Sequence, residues 1–149
     1  MIRAKPRLAV RGLLMVADKL LLVNAYKGRE GALYCAPGGG VEAGQSLPEN
    51  LQREFHEETG LKVEVAAPCL VNEFHDPHGT FHQVDIYFHV THIAGNLVGE
   101  WRDPEGVVSE RRWVTRAELA TLHVKPDSLA RVAWDGEIMI YDALEPILR

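Results

Sequence analysis

Apolar positions along the chain fall in short runs separated by turn-forming residues. Residues 8–16 are almost continuously apolar and read as a strand; 19–25 (KLLLVNA) read as its partner across a turn at Asp18. Residues 26–31 are polar, basic and carry two glycines, which predicts a loop, and 32–36 are short and apolar. Pro37, Gly38, Gly39 and Gly40 then break regular structure. The period changes over 44–60. Leu47, Leu51 and Phe55 recur every fourth residue, an apolar stripe on one side of a helix. Its ends agree with that prediction. Ser46 stands as N-cap with Glu49 three residues on, Pro48 falls in the first turn where its missing N–H costs little, and Gly60 follows the last turn.

Downstream, 61–65 and 69–74 read as short strands, 76–79 as a turn and 84–91 (VDIYFHVT) as a half-buried strand. A loop over 95–108 precedes a short strand at 111–114. Thr115 caps a short helix over 115–121 with Glu118 in capping-box position, and 128–148 reads mainly as helix, interrupted at Asp135 and Gly136. Strands mixed with a central and a terminal helix predict an α+β or layered α/β/α arrangement.

Composition narrows the picture. A chain of 149 residues suits one domain, 1–149, with a real core. The net charge of -5 gives no reason to expect non-specific nucleic-acid binding, yet metal placed between carboxylates and a phosphate still admits an anionic substrate. Cys35 and Cys69 form neither a disulfide framework nor a zinc-finger spacing, which fits a reducing compartment. No apolar run approaches a membrane span, and residues 1–11 lack the apolar core of a signal peptide, so a cytoplasmic location is expected.

The stretch GGGVEAGQSLPENLQREFHEETGL, 38–61, carries the chemistry. Glu54 lies three residues from Glu57 and four from Glu58, so all three share one side of the predicted helix. Like charges that close repel unless solvent or a cation offsets them, and Mg²⁺ and Mn²⁺ favour carboxylate oxygens. The glycine run brings backbone near the helix, where a carbonyl could complete a metal shell. Arg53 is placed to orient the carboxylates through bidentate bonds. A solvated acidic face would produce the same pattern.

The stretch resembles the Nudix box, GX5EX7REUXEEXGU with U a bulky aliphatic residue. Gly39 takes the leading glycine, Arg53 and Glu54 the arginine–glutamate pair, Phe55 the bulky position, and Glu57, Glu58, Thr59, Gly60 and Leu61 the close. Phe55 is aromatic where the family is usually aliphatic. Gln45 stands where the family has glutamate, keeping an oxygen but losing the charge.

The resemblance implies an α/β fold, a Nudix-type α/β/α sandwich around a mixed β-sheet. It implies metal-dependent hydrolysis of a nucleoside diphosphate derivative, by water attack at phosphorus, with Mg²⁺ or Mn²⁺. Nucleoside triphosphates, ADP-ribose and nucleotide sugars all remain open as substrates. Glu54, Glu57, Glu58 and the Gly38 carbonyl would hold metal, Glu54 could instead orient or deprotonate water, and Arg53 would position the carboxylates. Family members often add a carboxylate outside the box, for which Glu110, Glu100 and Asp85 are candidates; each reads equally as a solvated acid. Lys27, Arg29, His75, His82 and Trp101 are candidates for substrate contact, and a polar loop or core packing would account for them as well. Relatives often form homodimers. A nucleotide-binding or regulatory module of the same fold, and a structural protein with a merely solvated acidic helix, are the alternatives to an enzyme.

Overall fold

The computed structural model describes residues 4–26 and 33–148. Eight strands, β1 (Arg7–Val16), β2 (Lys19–Asn24), β3 (Tyr34–Cys35), β4 (Gly38–Gly40), β5 (Lys62–His75), β6 (His82–Ala94), β7 (Arg111–Val114) and β8 (Ile140–Pro146), form one mixed sheet. The helices are α1 (Leu47–Thr59), α2 (Arg116–Leu119) and α3 (Leu129–Ala133). The order is β3-β2-β1-β6-β5-β8, with β4 beside the first half of β1 and β7 beside β2. β1 runs parallel to β6 and β5 parallel to β8; the other pairs are antiparallel.

Alternation along the strands splits the core in two. Val10, Leu14, Leu21, Phe88 and Val90 face α1 and pack with its Leu51 and Phe55. Leu13, Leu20, Leu22 and Tyr87 face the other way, against Leu129 and Val132 of α3. The sheet is therefore the middle layer of an α/β/α sandwich, as its pattern and the resemblance predicted.

The turn between β1 and β2 places Ala17 and Asp18 at φ 50° and 63°, as a tight two-residue hairpin turn requires. α1 is built by the signals read above. Ser46 Oγ accepts the Glu49 N–H at 3.1 Å, and Gly60 ends the helix at φ 76° with its N–H donating to the His56 carbonyl. Thr115 and Glu118 form the reciprocal capping box.

Three boundaries differ from expectation. The glycines after Pro37 break no structure: Gly38, Gly39 and Gly40 pair with Arg11, Val10 and Ala9 as β4. The two strands expected at 61–65 and 69–74 are one strand, β5, with register shifts around Pro68, the residue that cannot donate to the ladder. The terminal helix expected over 128–148 is a correction. Only Leu129–Ala133 is helical; Gly136 and Met139 take positive φ, and Ile140–Pro146 pairs with β5. The residues after Gly136 find a sheet edge as their partner, and hydrogen bonding to β5 decides the outcome. The expected loop over 26–31 falls largely outside the described residues, as do Lys27 and Arg29.

Phe55 is fully buried, and its ring lies where a Cβ on Gly12 would meet it at 2.8 Å. Phe55→Ala is expected to cost about 3–5 kcal/mol, measured as a fall in the urea unfolding free energy. A loss under about 1 kcal/mol would mean that α1 is not anchored at this point.

Candidate active site

The site is organised by strand β4, which carries no side chains. A Cβ on Gly39 would lie 2.4 Å from the Glu54 carboxylate, and one on Gly40 would lie 2.5 Å from the Arg7 guanidinium. Neighbouring residues of a strand point to opposite faces. Only glycine at both positions lets a carboxylate approach from the α1 face and a guanidinium from the other.

On the α1 face, the Gly38 N–H donates to Glu58 Oε1 at 2.9 Å. Burial pushes the Glu58 carboxyl up to about 7, against the pull of Arg11 and of the Gly38 N–H, while Glu54 and Asp103 push it further up. Glu54 is also raised, chiefly by burial, with Glu57 and Glu105 adding repulsion and Arg53 opposing. Arg53 donates to Glu54 Oε1 at 2.9 Å. The three box glutamates and Arg53 are thus brought together, Glu57 through its field on Glu54. Asp103 and Glu105, from the loop over 95–108, join them; neither was singled out in the sequence. Both Asp103 oxygens accept loop N–H groups, from Glu105 and Val108, and these bonds keep its carboxylate buried.

Of the expected extra carboxylates, Glu110 and Asp85 are engaged by other partners and Glu100 lies beside Asp103. Glu110 accepts from the Tyr34 hydroxyl at 3.0–3.1 Å. Asp85 is buried, accepts from Gln83 Nε2 at 2.7 Å and faces Arg11 Nε at 3.4 Å. Glu100 lines a shallow groove with Trp101 and Asp103.

On the opposite face opens a cavity of about 240 Å³. Arg7, Arg11, Gln83, Asp85 and Tyr87 line it together with Phe74, Phe81, Tyr26, Lys125 and Glu145. Lys125 is paired with Glu145 and Asp127 at 3.1 Å, and Arg11 with Asp85. Arg7 donates only to the neutral Gln83 amide, at 2.7 Å, and has no ion-pair partner among the described residues. Arg11 links the two faces. Burial works against its charge, but Asp85, Cys35, Tyr87 and Glu58 outweigh that and raise its pKa. The Cys35 thiol beside it is pushed up to about 11 by burial, so it stays protonated near neutrality.

The remaining candidates have other partners. Trp101 donates from Nε1 to the Glu57 carbonyl at 2.8 Å, and a Cβ on Gly60 would meet its ring at 2.5 Å; it clamps the acidic loop onto the end of α1. His82 Nε2 lies 3.0 Å from Glu73, and the His75 and His82 rings are 6.4 Å apart. Neither histidine lines the cavity, whereas their neighbours Phe74, Phe81 and Gln83 do. Gln45 is exposed, and its backbone carbonyl accepts from Asn50.

A divalent cation suits the donor chemistry here: hard carboxylate oxygens, one of them buried with a carboxyl that only an arginine and one N–H hold down. Among the described residues, no group of three or more His, Cys, Asp or Glu is already gathered as a metal cage. Glu58 and Glu54 would hold the ion first, with Glu57 or a backbone carbonyl of β4 completing the shell.

The raised Glu58 pKa sets a pH dependence for the metal-free protein. The folded state holds the proton more tightly than the unfolded chain, so its contribution to stability is complete below about 4.5 and is lost as pH rises through about 7. In chelator, stability is expected to fall by up to a few kcal/mol over that window, at about 1.4 kcal/mol per unit, and Glu58→Gln is expected to flatten the curve. Parallel curves for the two proteins would refute the assignment.

Comparison with known proteins fits this geometry. The model of the NUDIX domain matches residues 5–134. The ADP-ribose pyrophosphatase of Methanocaldococcus jannaschii is 36% identical over 98 residues, 62% of this chain and 54% of that protein, so the chain spans about half the length of this relative. A UDP-X diphosphatase structure superposes with a TM-score of 0.71 at 20% identity, covering 95% of this chain and 70% of that one. The MutT protein of Bacillus halodurans gives 0.66 at 22% identity, covering 90% and 86%. With the family model spanning seven of the eight strands, the glycine strand among them, and the glutamate helix, this chain belongs to the NUDIX domain family.

Proposed function

We propose that the chain is a pyrophosphohydrolase that cleaves the diphosphate linkage of a nucleoside diphosphate joined to a second polar moiety, of the ADP-ribose or nucleotide-sugar kind, with Mg²⁺ or Mn²⁺. One observation carries this reading. The carboxylates of α1 and the guanidinium-lined cavity meet back to back across a strand with no side chains. A substrate lying over the edge of β4 would present its phosphates to Glu54 and Glu58 and its organic part to the cavity. The names of the M. jannaschii relative, an ADP-ribose pyrophosphatase, and of the UDP-X diphosphatase support a nucleoside diphosphate joined to a second moiety.

The bound ion would supply Lewis-acid neutralisation of phosphate charge. The chain's own groups do the rest. Arg11 and Arg7 attract the anionic substrate from the cavity side. Phe74 and Phe81, with ring centroids 6.0 Å apart, offer an apolar wall for a base or sugar. In this reading Glu54, raised by burial and anchored by Arg53, serves as base instead of metal ligand and takes the proton from the attacking water at the carboxylate facing Gly39, leaving the ion to Glu58 and Glu57.

The test is a product-release screen with Mg²⁺ and then Mn²⁺, across ADP-ribose, nucleotide sugars, nucleoside triphosphates and dinucleoside polyphosphates. Activity is expected on the sugar-linked diphosphates. Glu54→Gln is expected to lower kcat by about 10²–10⁴-fold, and Glu58→Gln to abolish most turnover with the fold kept. Preference for nucleoside triphosphates would overturn the substrate assignment. Silence across the panel from folded, metal-loaded protein would favour a nucleotide-binding module.

The uncompensated guanidinium of Arg7 yields a separate expectation. Arg7→Ala should raise KM with kcat little changed, because a contact made equally in ground and transition states affects binding alone. A loss confined to kcat would place Arg7 at the reacting phosphate instead.

A further inference from the structure

Arg53 steers Glu54, so whatever holds Arg53 matters to the chemistry. Position 45, in the loop before α1, carries an exposed, uncharged Gln45, and among the described residues Arg53 is ion-paired with Glu54 at 2.9 Å and with the exposed Glu42 at 3.8 Å. Arg53 Nε is buried and finds no hydrogen-bond acceptor among the described residues. The strongest contact runs elsewhere: Arg53 Nη2 donates to Asn50 Oδ1 at 2.7 Å. Asn50 is fully buried, one helical turn before Arg53.

The Asn50 amide is saturated. Its Oδ1 also accepts the Glu42 N–H at 2.8 Å, and its Nδ2 donates to the carbonyls of Ser46 at 2.9 Å and Gln45 at 3.2 Å, with that of Glu42 at 3.4 Å. This fixes the orientation of the amide, since a flip would set oxygen against three carbonyls and nitrogen against two donors. One side chain therefore ties the loop over 42–46 to Arg53.

We propose that Asn50 is the positioning residue that holds Arg53, and through it Glu54, in a chain whose residue 45 carries no charge. Asn50 touches no reacting group and acts through the guanidinium. The role rests on the hydrolase reading above, and the experiment separates the two.

Asn50→Ala, Asn50→Asp, and Asn50→Ala combined with Gln45→Glu are compared with wild type by steady-state hydrolysis of the substrate found in the screen, by Mn²⁺ titration and by thermal melting. Asn50→Ala is expected to lower kcat by about 10–100-fold, the range for loss of a group that orients a ligand, with KM near wild type. Adding Gln45→Glu puts a carboxylate in the loop that Asn50 ties to Arg53 and is expected to restore most of that loss. Asn50→Asp keeps the acceptor for Arg53 and loses the donors to the loop, so kcat is expected to survive while the melting temperature falls.

A lowered melting temperature with unchanged kcat in Asn50→Ala would make Asn50 a loop staple and overturn the proposal. So would a double variant no faster than Asn50→Ala. Should Asn50→Ala not fold, Asn50→Asp decides alone: kcat as low as in Arg53→Ala overturns the proposal. Should wild type bind Mn²⁺ yet hydrolyse nothing, the hydrolase reading fails, and the proposal stands or falls on weakened Mn²⁺ binding in Asn50→Ala, regained in the double variant. Wild type that neither hydrolyses nor binds Mn²⁺ overturns both.

Discussion

The hydrogen bond from the Gly38 N–H to Glu58 is the interaction on which the rest of the site depends. It joins the last turn of α1 to a strand only three residues long, and that strand has nothing but backbone to offer. Because β4 is bare, α1 can lie close enough for Glu54 to rest against Gly39, and the far face stays open for Arg7. A single methyl group at either glycine would push one of these charges away. The spacing of carboxylates and guanidiniums is thus set by the thickness of one peptide layer.

Burial and charge then act against each other across that layer. Removing Glu58 from water disfavours its charge, and only Arg11 and one N–H offset the loss. Arg11 is itself buried and keeps its proton because Asp85 and others surround it. Arg11 thus draws Glu58 toward its charged form while burial draws it back, and a divalent cation beside Glu58 would tip that balance toward the carboxylate. The Asn50 network adds the stiffness that this balance needs, because an arginine free to swing would leave Glu54 without its opposing charge.

The glutamate helix was the most legible part of the sequence. Its cap, its stop and its apolar stripe were local signals, and local signals do not depend on what the chain meets later. Glu54, Glu57, Glu58 and Arg53 were legible with it. The terminal segment failed for the opposite reason: Ile140–Pro146 takes its structure from the free edge of β5, about seventy residues earlier, and no window of sequence contains that partner. Asp103 was missed because the loop over 95–108 has no period, and its carboxylate reaches the site only through the clamp of Trp101 on α1. Asn50 was hidden in plain view, a polar residue inside a helix whose burial appears only once the loop over 42–46 folds back onto it.

The strict alternation of β6 separates two jobs by parity. Gln83, Asp85 and Tyr87 look into the cavity, while Ile86, Phe88 and Val90 pack toward α1. Under the proposed reading, a change at Gln83 or Asp85 would reshape what the protein recognises without loosening the helix that carries its carboxylates, and a change at Ile86, Phe88 or Val90 would do the reverse. One strand would thereby let selectivity drift while the chemistry stays put.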